Sequence, residues 1–489
     1  MTPEPARRSA LVPRGARAAR WVHRALAAGI VAVALAGCSS VRPWINEPLR
    51  AGPRVDAAAI AQRDGSALFA VALSGGGARA AAFGYGVLQE LKATPCCWND
   101  KTGNVLDAVD LVSGVSGGSI VAAYFAAFGS SGLDGFETDF LRRDFQDGLV
   151  SQMLRPANLF DLTSPWFGRS QLLQRRLDGL YRGMTFADVA RRPRHPQLIV
   201  TATDMSLGSG FDFTTDQFEL ICSDLGSVPL SFAVTASSAV PLVLSPLTLR
   251  NYRNECPAGP ADAIAAGGRA DDYRARLFRA EKRSYLDADS RPYVHLVDGG
   301  LADNLGVRRL LDRALSGGGM GSTFSEVRIA PGSIKRLVIV TVNAERDPSR
   351  RIDESDKVPT TTEVVDALLF GTGNRATGET QAYLDDVAGR WREEIRSGRR
   401  ERLRGFAADA EIFLIQVNLR DAPASAQRQF LLQVPTAFSI GDAEVTQLIA
   451  AGREVLRSDT DFQALKRSLG AAAALDPATF APAASPRSP

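Results

Sequence analysis

Short apolar segments alternate with amphipathic segments along most of this chain. Phe83, Val87, Leu88 and Leu91 recur on one helical face, as an amphipathic helix requires. The pattern predicts helices over Ala80–Leu91, Ser119–Phe128, Leu172–Tyr181 and Val445–Leu456. It predicts buried strands over Leu68–Leu73, Ala108–Val112, Leu198–Thr203, Tyr293–Val297, Arg336–Val342 and Glu411–Val417. Strands that alternate with helices predict an α/β domain with a mostly parallel sheet.

Composition divides the chain into five parts. Overall, 45% of residues are hydrophobic and 23% charged, which is ordinary for a globular protein. We expect the main α/β domain over residues 66–345 and an extension packed on the same domain over 346–469. The remaining parts are an export signal over 1–37, a Pro- and Gly-containing tether over 38–65, and a disordered Ala/Pro-rich tail over 470–489.

The N-terminus has the pattern of an export signal. Residues 1–24 contain six arginines and one acid, Glu4, and an uncharged run follows at Ala25–Ala36. This run is shorter than the roughly 20 apolar residues of a membrane-spanning helix. The sequence Leu35-Ala36-Gly37-Cys38 resembles the lipobox of bacterial lipoproteins, which implies that Cys38 is lipidated and becomes the first mature residue. With Ser39 next, we expect an outer-membrane location; the alternative is a secreted protein without an anchor.

Charge and cysteine content exclude several functions. Without residues 1–37 the chain is slightly acidic, and no basic stripe with interleaved aromatic residues occurs, so nucleic acid is not an expected partner. Export permits a disulfide. Cys222–Cys256 is the favoured pair, because the adjacent Cys96 and Cys97 would rarely bond to each other. No cysteine or histidine spacing fits a zinc site, so neither a metal nor a cofactor is expected.

A run of glycines lies between the first strand and the first helix. Gly75, Gly76 and Gly77 can direct several backbone N–H groups to one point at the helix N-terminus, which suits an anion. Gly75-x-Gly77-x-x-Ala80 also fits a dinucleotide fingerprint, but that motif needs an acidic residue at a second strand about 20 residues later. Thr94–Asp100 is instead predicted to be a loop. The pattern therefore favours an oxyanion site.

A serine with small neighbours follows the second strand. Gly114-Val115-Ser116-Gly117-Gly118 is a G-x-S-x-G sequence in the strand–turn–helix context of a nucleophile elbow. Its serine needs a base, but His195 lies in a polar turn and His295 lies on a strand with its side chain predicted to face away from Asp298. We interpret both histidines as packed or surface residues. Asp298 lies before two glycines at the end of the same strand.

Three motifs in this order resemble the signatures of patatin-like phospholipases: SGGGAR at 74–79, GVSGG at 114–118 and VDGG at 297–300. The segment Ala236–Pro241 also resembles a stretch of that family, and the likeness extends over about 68–310 and more weakly to about 465. The resemblance implies a three-layer α/β/α patatin-like hydrolase fold with a mostly parallel sheet. It also implies Ser116 as nucleophile, Asp298 as general base, and an oxyanion hole from the amides of Gly75, Gly76 and Gly77.

The resemblance and the anchor together predict hydrolysis of (lyso)phospholipid or related acyl esters in membrane lipid metabolism. The expected partners are a lipid substrate and, through Cys38, a membrane; no protein partner is predicted. Two alternatives remain: a non-catalytic lipid-binding envelope protein, and an esterase with a Ser–Asp–His triad. The charged segment 251–290 has few large apolar residues, so we expect a loosely docked loop, either at the mouth of the acyl pocket or remote from it.

Overall fold

The computed structural model describes residues 44–50, 67–98, 101–145, 167–193, 195–256, 273–316, 332–347, 372–398, 405–423 and 425–475, with a few short stretches between 320 and 403. Its strands are β1 (Ala67–Leu73), β2 (Pro95–Trp98), β3 (Lys101–Asn104), β4 (Leu111–Val115), β5 (Gln197–Asp204), β6 (Ser209–Asp212), β7 (Leu247–Arg250), β8 (Tyr293–Val297), β9 (Ile334–Asn343) and β10 (Phe406–Asn418). Its helices are α1 (Gly77–Ala93), α2 (Gly117–Gly132), α3 (Arg169–Tyr181), α4 (Phe186–Ala190), α5 (Thr215–Leu220), α6 (Leu230–Ser237), α7 (Tyr273–Ser284), α8 (Arg308–Ser316), α9 (Thr372–Arg396), α10 (Ser425–Leu432), α11 (Asp442–Ser458) and α12 (Thr460–Leu475).

One sheet organises the molecule. Among the described residues it has eight strands in the order β10-β9-β1-β4-β5-β8-β7, with β6 paired to β5. The five strands from β10 to β5 are parallel, whereas β6, β8 and β7 run antiparallel to their neighbours. The predicted α/β class with a mostly parallel sheet is confirmed.

Both faces of the sheet are covered, because successive strand residues enter two different cores. On β1, Phe69 and Val71 join the core that contains α1, α2 and α11. Leu68 and Ala72 join the core that contains α8 and α9. This alternation accounts for the continuous apolar character of the central strands and gives three layers, as the resemblance implied.

The predicted strand over Ala108–Val112 is displaced by three residues, since β4 begins at Leu111. Val105–Ala108 form a 3-10 turn instead, and the side chain of Asn104 caps this turn by accepting a hydrogen bond from the backbone N–H of Asp107 at 3.0 Å. Apolar composition alone does not separate a buried turn from a buried strand.

The structure contains four short strands that the sequence pattern did not predict. Part of the Thr94–Asp100 segment, predicted to be a loop, forms the hairpin β2–β3 with the residues that follow it. The strands β6 and β7 have four residues each and pair antiparallel at one side of the sheet. Such short strands carry too few residues for a period-2 pattern to become apparent.

The C-terminal part of the chain packs on the same sheet and helices. β10 pairs with β9, and α11 crosses α1 at close range. A methyl group on Gly452 would lie 2.3 Å from the carbonyl oxygen of Phe83, and one on Gly86 would lie 2.2 Å from that of Ile449. Helix α12 continues to Leu475, past the predicted start of the tail, and residues 476–489 lie outside the described residues. The domain boundaries stay a prediction.

A segment of the predicted tether lies against the folded domain. The N–H of Leu49 donates to the carbonyl of Cys222 at 2.9 Å, and the N–H of Asp224 donates to the carbonyl of Glu47 at 2.9 Å. A disulfide joins Cys222 to Cys256, with Cα atoms 6.1 Å apart, which is the pairing favoured from the sequence. Cys38 and the export segment lie outside the described residues, and none of the described helices is long and apolar enough to cross a membrane.

The described part of segment 251–290 is firmly packed, so the expectation of a loosely docked loop is wrong there. Helix α7 contacts α8, and Phe278 and Lys282 are each only 6% exposed. The Lys282 ammonium donates to the side chain of Gln217. Charged residues of this segment can therefore be buried, because polar side chains on other elements form hydrogen bonds with them. Residues 257–272 lie outside the described residues.

The close crossing of α1 and α11 gives a stability prediction. Gly452→Ala should lower the free energy of unfolding by about 1–3 kcal/mol, because the added methyl group forces the helices apart. Gly389→Ala is the matched control in α9, where a Cβ meets no atom within 4 Å; it should raise stability by roughly 0.5–1 kcal/mol. Urea unfolding followed by circular dichroism measures both, and equal effects would contradict the proposed crossing.

Candidate active site

Ser116 occupies a strained turn between β4 and α2. Its backbone has φ 48° and ψ −121°, a conformation that costs a non-glycine residue about 1–3 kcal/mol. The carbonyl of Ser116 accepts hydrogen bonds from the Ser119 N–H at 2.9 Å and from the Ser119 hydroxyl at 2.6 Å. The turn has the geometry that the G-x-S-x-G pattern predicts.

Backbone contact explains the glycines that follow Ser116. A Cβ on Gly117 would lie 2.0 Å from the carbonyl oxygen of Gly77, and a Cβ on Gly118 would lie 2.3 Å from that of Leu73. No other residue fits at either position without displacing backbone. Because these two glycines have no side chains, the turn after β1 can pack directly against the turn after β4.

A second serine fixes the backbone of Ser116. The Ser116 N–H donates to the hydroxyl oxygen of Ser237 at 2.8 Å, and this hydroxyl donates to the carbonyl of Thr201 at 2.6 Å. Ser237 is fully buried at the end of α6. It belongs to the Ala236–Pro241 segment that the resemblance identified, although no pattern in the sequence predicts a role for it.

Asp298 meets Ser116 directly after β8. The Ser116 hydroxyl donates to Oδ2 of Asp298 at 2.9 Å, and the N–H of Gly300 donates to Oδ1 at 2.8 Å. The Asp298 backbone is held on both sides: its N–H donates to the carbonyl of Ala239 at 3.0 Å, and its carbonyl accepts from the Thr203 hydroxyl at 2.7 Å. The structure therefore brings together the two residues predicted as nucleophile and base.

Burial controls the protonation of Asp298, which is 8% exposed. Burial raises the pKa of Asp298 to about 6, although the N–H of Gly300 and the hydroxyl of Ser116 act to lower it. A carboxylate with this pKa is mostly ionised at neutral pH and is a stronger base than an ordinary aspartate.

Neither histidine contacts Ser116. The ring nitrogens of His195 lie 3.2 Å and 3.0 Å from the carbonyls of Pro196 and Ala190. The Nδ1 of His295 lies 3.0 Å from the Thr248 hydroxyl, on the edge of the sheet. This arrangement agrees with the interpretation of both as packed or surface residues, and gives no support to a Ser–Asp–His triad.

The glycine loop departs from the expected oxyanion hole at one position. The N–H of Gly75 already donates to the carbonyl of Asn304 at 3.0 Å, because the chain after Asp298 folds back over the loop. The amides of Gly76 and Gly77 meet no acceptor among the described residues. Both residues have positive φ, 136° and 61°, which favours glycine. The donors available for an oxyanion are therefore Gly76 and Gly77.

Two guanidinium groups line the pocket that contains Ser116 and Asp298. They belong to Arg79 and Arg346. Burial and the neighbouring Arg346 charge lower the pKa of Arg79 to about 9, which still leaves it cationic at neutral pH. Glu345 also lines the pocket, but Arg420 neutralises it through hydrogen bonds at 2.5 Å and 2.7 Å.

Arg346 and Asn304 had no signal in the sequence. Asn304 lies six residues after Asp298, and Arg346 lies in the predicted C-terminal extension, far from every motif. Both reach the pocket only through the fold. No described residue of the 251–290 segment lines the pocket, so the structure gives no support to a lid there.

Comparison with known proteins places this geometry in a family. Residues 71–311 match the family described as patatin-like phospholipase, which indicates lipid acyl-ester hydrolysis at the level of the family. No curated protein matches the chain.

The solved structures that are similar to this chain include human GIVD cytosolic phospholipase A2, at 12% identity and a TM-score of 0.37. They also include the same human enzyme in complex with methyl gamma-linolenyl fluorophosphonate, at 13% identity and a TM-score of 0.35. Each comparison covers 86% of this chain but only 65% and 62% of the human chains, less than two thirds of their length. Residues 71–311 of this chain therefore form a patatin-like phospholipase domain.

Proposed function

We propose that the protein is a serine acyl hydrolase that cleaves acyl esters of (lyso)phospholipids or related lipids through a Ser116–Asp298 dyad. The observation that carries this proposal is the 2.9 Å hydrogen bond from the Ser116 hydroxyl to a buried Asp298 carboxylate. The adjacent amides of Gly76 and Gly77 support it, because they supply donors where negative charge would develop.

In the acylation step, Oδ2 of Asp298 accepts the proton of the Ser116 hydroxyl while Oγ attacks the ester carbonyl carbon. The carbonyl oxygen becomes an oxyanion and accepts hydrogen bonds from the Gly76 and Gly77 amides. When the carbon–oxygen bond to the alcohol breaks, Asp298 returns its proton to the leaving alkoxide. An acyl-Ser116 ester and a free alcohol result.

In the deacylation step, Asp298 accepts a proton from water, which attacks the acyl-Ser116 carbonyl. The same amides stabilise the second oxyanion. The bond to Oγ then breaks, Ser116 recovers the proton from Asp298, and a fatty acid leaves.

Charge in the pocket supports an anionic substrate. Arg79 and Arg346 line it, and guanidinium groups bind phosphate well. Arg79 is 2% exposed and donates to the carbonyls of Ala344 and Val434, so it contributes its positive charge rather than a free donor group. A phospholipid carries a phosphate close to its scissile esters, whereas a simple neutral ester does not. The charge therefore favours (lyso)phospholipids within the wider class of lipid esters.

The proposal includes attachment to the bacterial outer membrane through a lipid on Cys38. The Leu35–Cys38 sequence and the preceding basic and apolar segments support it. An anchored enzyme would meet its lipid substrate in the membrane to which it is attached, and its role would lie in membrane lipid metabolism.

The dyad gives a kinetic prediction. Ser116→Ala and Asp298→Asn should each lower kcat by roughly 10³-fold or more, because nucleophile and base act as one unit, and the losses should not multiply in the double variant. Hydrolysis of a phosphatidylglycerol and of a soluble short-chain ester measures both. His195→Gln and His295→Gln are controls that should retain activity. A His295 variant as inactive as Ser116→Ala would replace the dyad with a triad.

The raised pKa of Asp298 gives a pH dependence. Because the base must be deprotonated, kcat/KM should be low at about pH 5, rise through an inflection near about pH 6, and level off above about pH 7. Burial also raises the pKa of Asp312 to about 7, so Asp312→Asn is the matched control. The inflection should persist in that variant and in His195→Gln. If it disappeared from either variant, the replaced residue rather than Asp298 would be its source.

The anchor gives a localisation prediction. Cys38→Ala should release the protein from the membrane fraction or halt its processing, because no acyl chain can then be attached at this position. Cell fractionation with immunoblotting measures the distribution, and Ser39→Ala is the control that should leave it unchanged. Membrane attachment that persists in the Cys38 variant would identify another anchor.

A further inference from the structure

A turn beside the pocket exposes apolar side chains to water. Leu242 and Val243 follow Pro241, which lines the pocket, and they are 68% and 57% exposed. Leu301, in the turn after Asp298, also lines the pocket and is 44% exposed. We call Leu242, Val243 and Leu301 the lip. Exposed apolar side chains grouped around the rim of a pocket mark an interaction site more often than scattered exposed ones do.

The backbone at Leu242 is strained as well as exposed. Its φ is 69°, in the left-handed region that a bulky side chain rarely adopts. The three other described non-glycine residues with positive φ are Ser116, which forms the nucleophile turn, Arg182, which ends α3, and Cys222, which forms the disulfide. A glycine at Leu242 would form the same turn without the strain and without the exposed apolar side chain. Strain that the fold retains points to a role outside folding.

The turn is held in place. The N–H of Leu244 donates to the carbonyl of Val240 at 2.9 Å, and Leu244 is 3% exposed. A guanidinium N–H of Arg169 donates to the carbonyl of Leu242 at 2.6 Å. The exposure of Leu242 and Val243 is therefore a fixed feature of the fold, with a cationic, exposed Arg169 beside it.

We propose that the lip docks into a lipid surface and places the mouth of the Ser116 pocket at that surface. This inference rests on the proposed lipid hydrolase function. Apolar side chains leave water for the acyl region of the lipid, and Arg169 meets the phosphates of the head groups.

The position of the N-terminal segment favours a membrane over other occupants. β7 begins at Leu247, four residues after Val243, and ends at Arg250, whose guanidinium lies 5.7 Å from the Trp44 ring centroid. Seven residues separate Val243 of the lip from Arg250, which is at most about 25 Å of chain. Six residues from Cys38 to Trp44 span at most about 20 Å. A lipid on Cys38 would keep this edge of the sheet close to the membrane.

The test compares two double variants in the full chain, with Cys38→Ala in every arm so that the anchor does not contribute. Leu242→Ser/Val243→Ser replaces two of the three apolar side chains of the lip by polar ones. Leu277→Ser/Val358→Ser is the matched control, because these residues are 47% and 92% exposed and do not line the pocket. The probes are phosphatidylethanolamine–phosphatidylglycerol vesicles and a soluble short-chain ester.

We expect Leu242→Ser/Val243→Ser to lower vesicle binding and vesicle hydrolysis by about tenfold or more, from the transfer free energy of two apolar side chains. Hydrolysis of the soluble ester should not change, and the control variant should match the parent on both substrates. Leu242→Gly should also lose vesicle binding while its Tm stays at or above that of the parent, because the strain is relieved.

Equal losses on vesicles and soluble ester, or no loss on either, would overturn the docking proposal. A lower Tm for Leu242→Gly would also count against it by assigning Leu242 a structural role. Sedimentation that shows a parent dimer and a variant monomer, with vesicle binding unchanged, would replace the membrane with a second copy of the chain. If the parent hydrolysed neither substrate, the proposed function would be refuted. The difference in vesicle binding between the parent and the Leu242→Ser/Val243→Ser variant would still test the docking proposal.

Discussion

The site depends on one backbone contact, between the turn that follows β1 and the turn that follows β4. The Cα of Gly117 lies so close to the Gly77 carbonyl that a Cβ would be 2.0 Å from its oxygen. This contact requires glycine on the elbow side and positive φ in the facing loop, at Gly76 and Gly77. It brings amide donors next to the Ser116 hydroxyl without any side chain. The two glycine-containing motifs, 40 residues apart, are therefore two halves of one packing arrangement.

Packing around this contact also determines the chemistry of Asp298. Its two hydrogen-bond donors, the Ser116 hydroxyl and the Gly300 N–H, are neutral, so burial dominates and the pKa rises to about 6. An aspartate in water would be a weak base at neutral pH. Here the same burial that excludes water gives the carboxylate a proton affinity near that of histidine, as its proposed role as the general base requires.

The motifs predicted the parts of the site that local sequence encodes. The strand–turn–helix context predicted the Ser116 turn, and the glycines after Asp298 placed a carboxylate at a strand end. The long helices and central strands followed from periodicity, because burial on one or both faces leaves a clear pattern. The prediction was weakest where long-range contacts decide the outcome. Gly75 looked equivalent to Gly76 and Gly77, yet its N–H is taken by Asn304, more than 200 residues away in the chain.

The same long-range dependence shows that the family match ends before the site is complete. The match stops at residue 311, but the N–H of Ala78 donates to the Ala437 carbonyl at 2.7 Å, and Arg79 donates to the Val434 carbonyl at 2.6 Å and to the Ala344 carbonyl at 3.0 Å.

Arg79 is 2% exposed, and a buried guanidinium without these acceptors would be strongly unfavourable. The segments that supply them also bring Arg346 and Thr436 to the pocket wall. Residues beyond the family domain therefore hold the glycine loop in place and add Arg346 to the pocket wall, so both parts of the chain build one pocket.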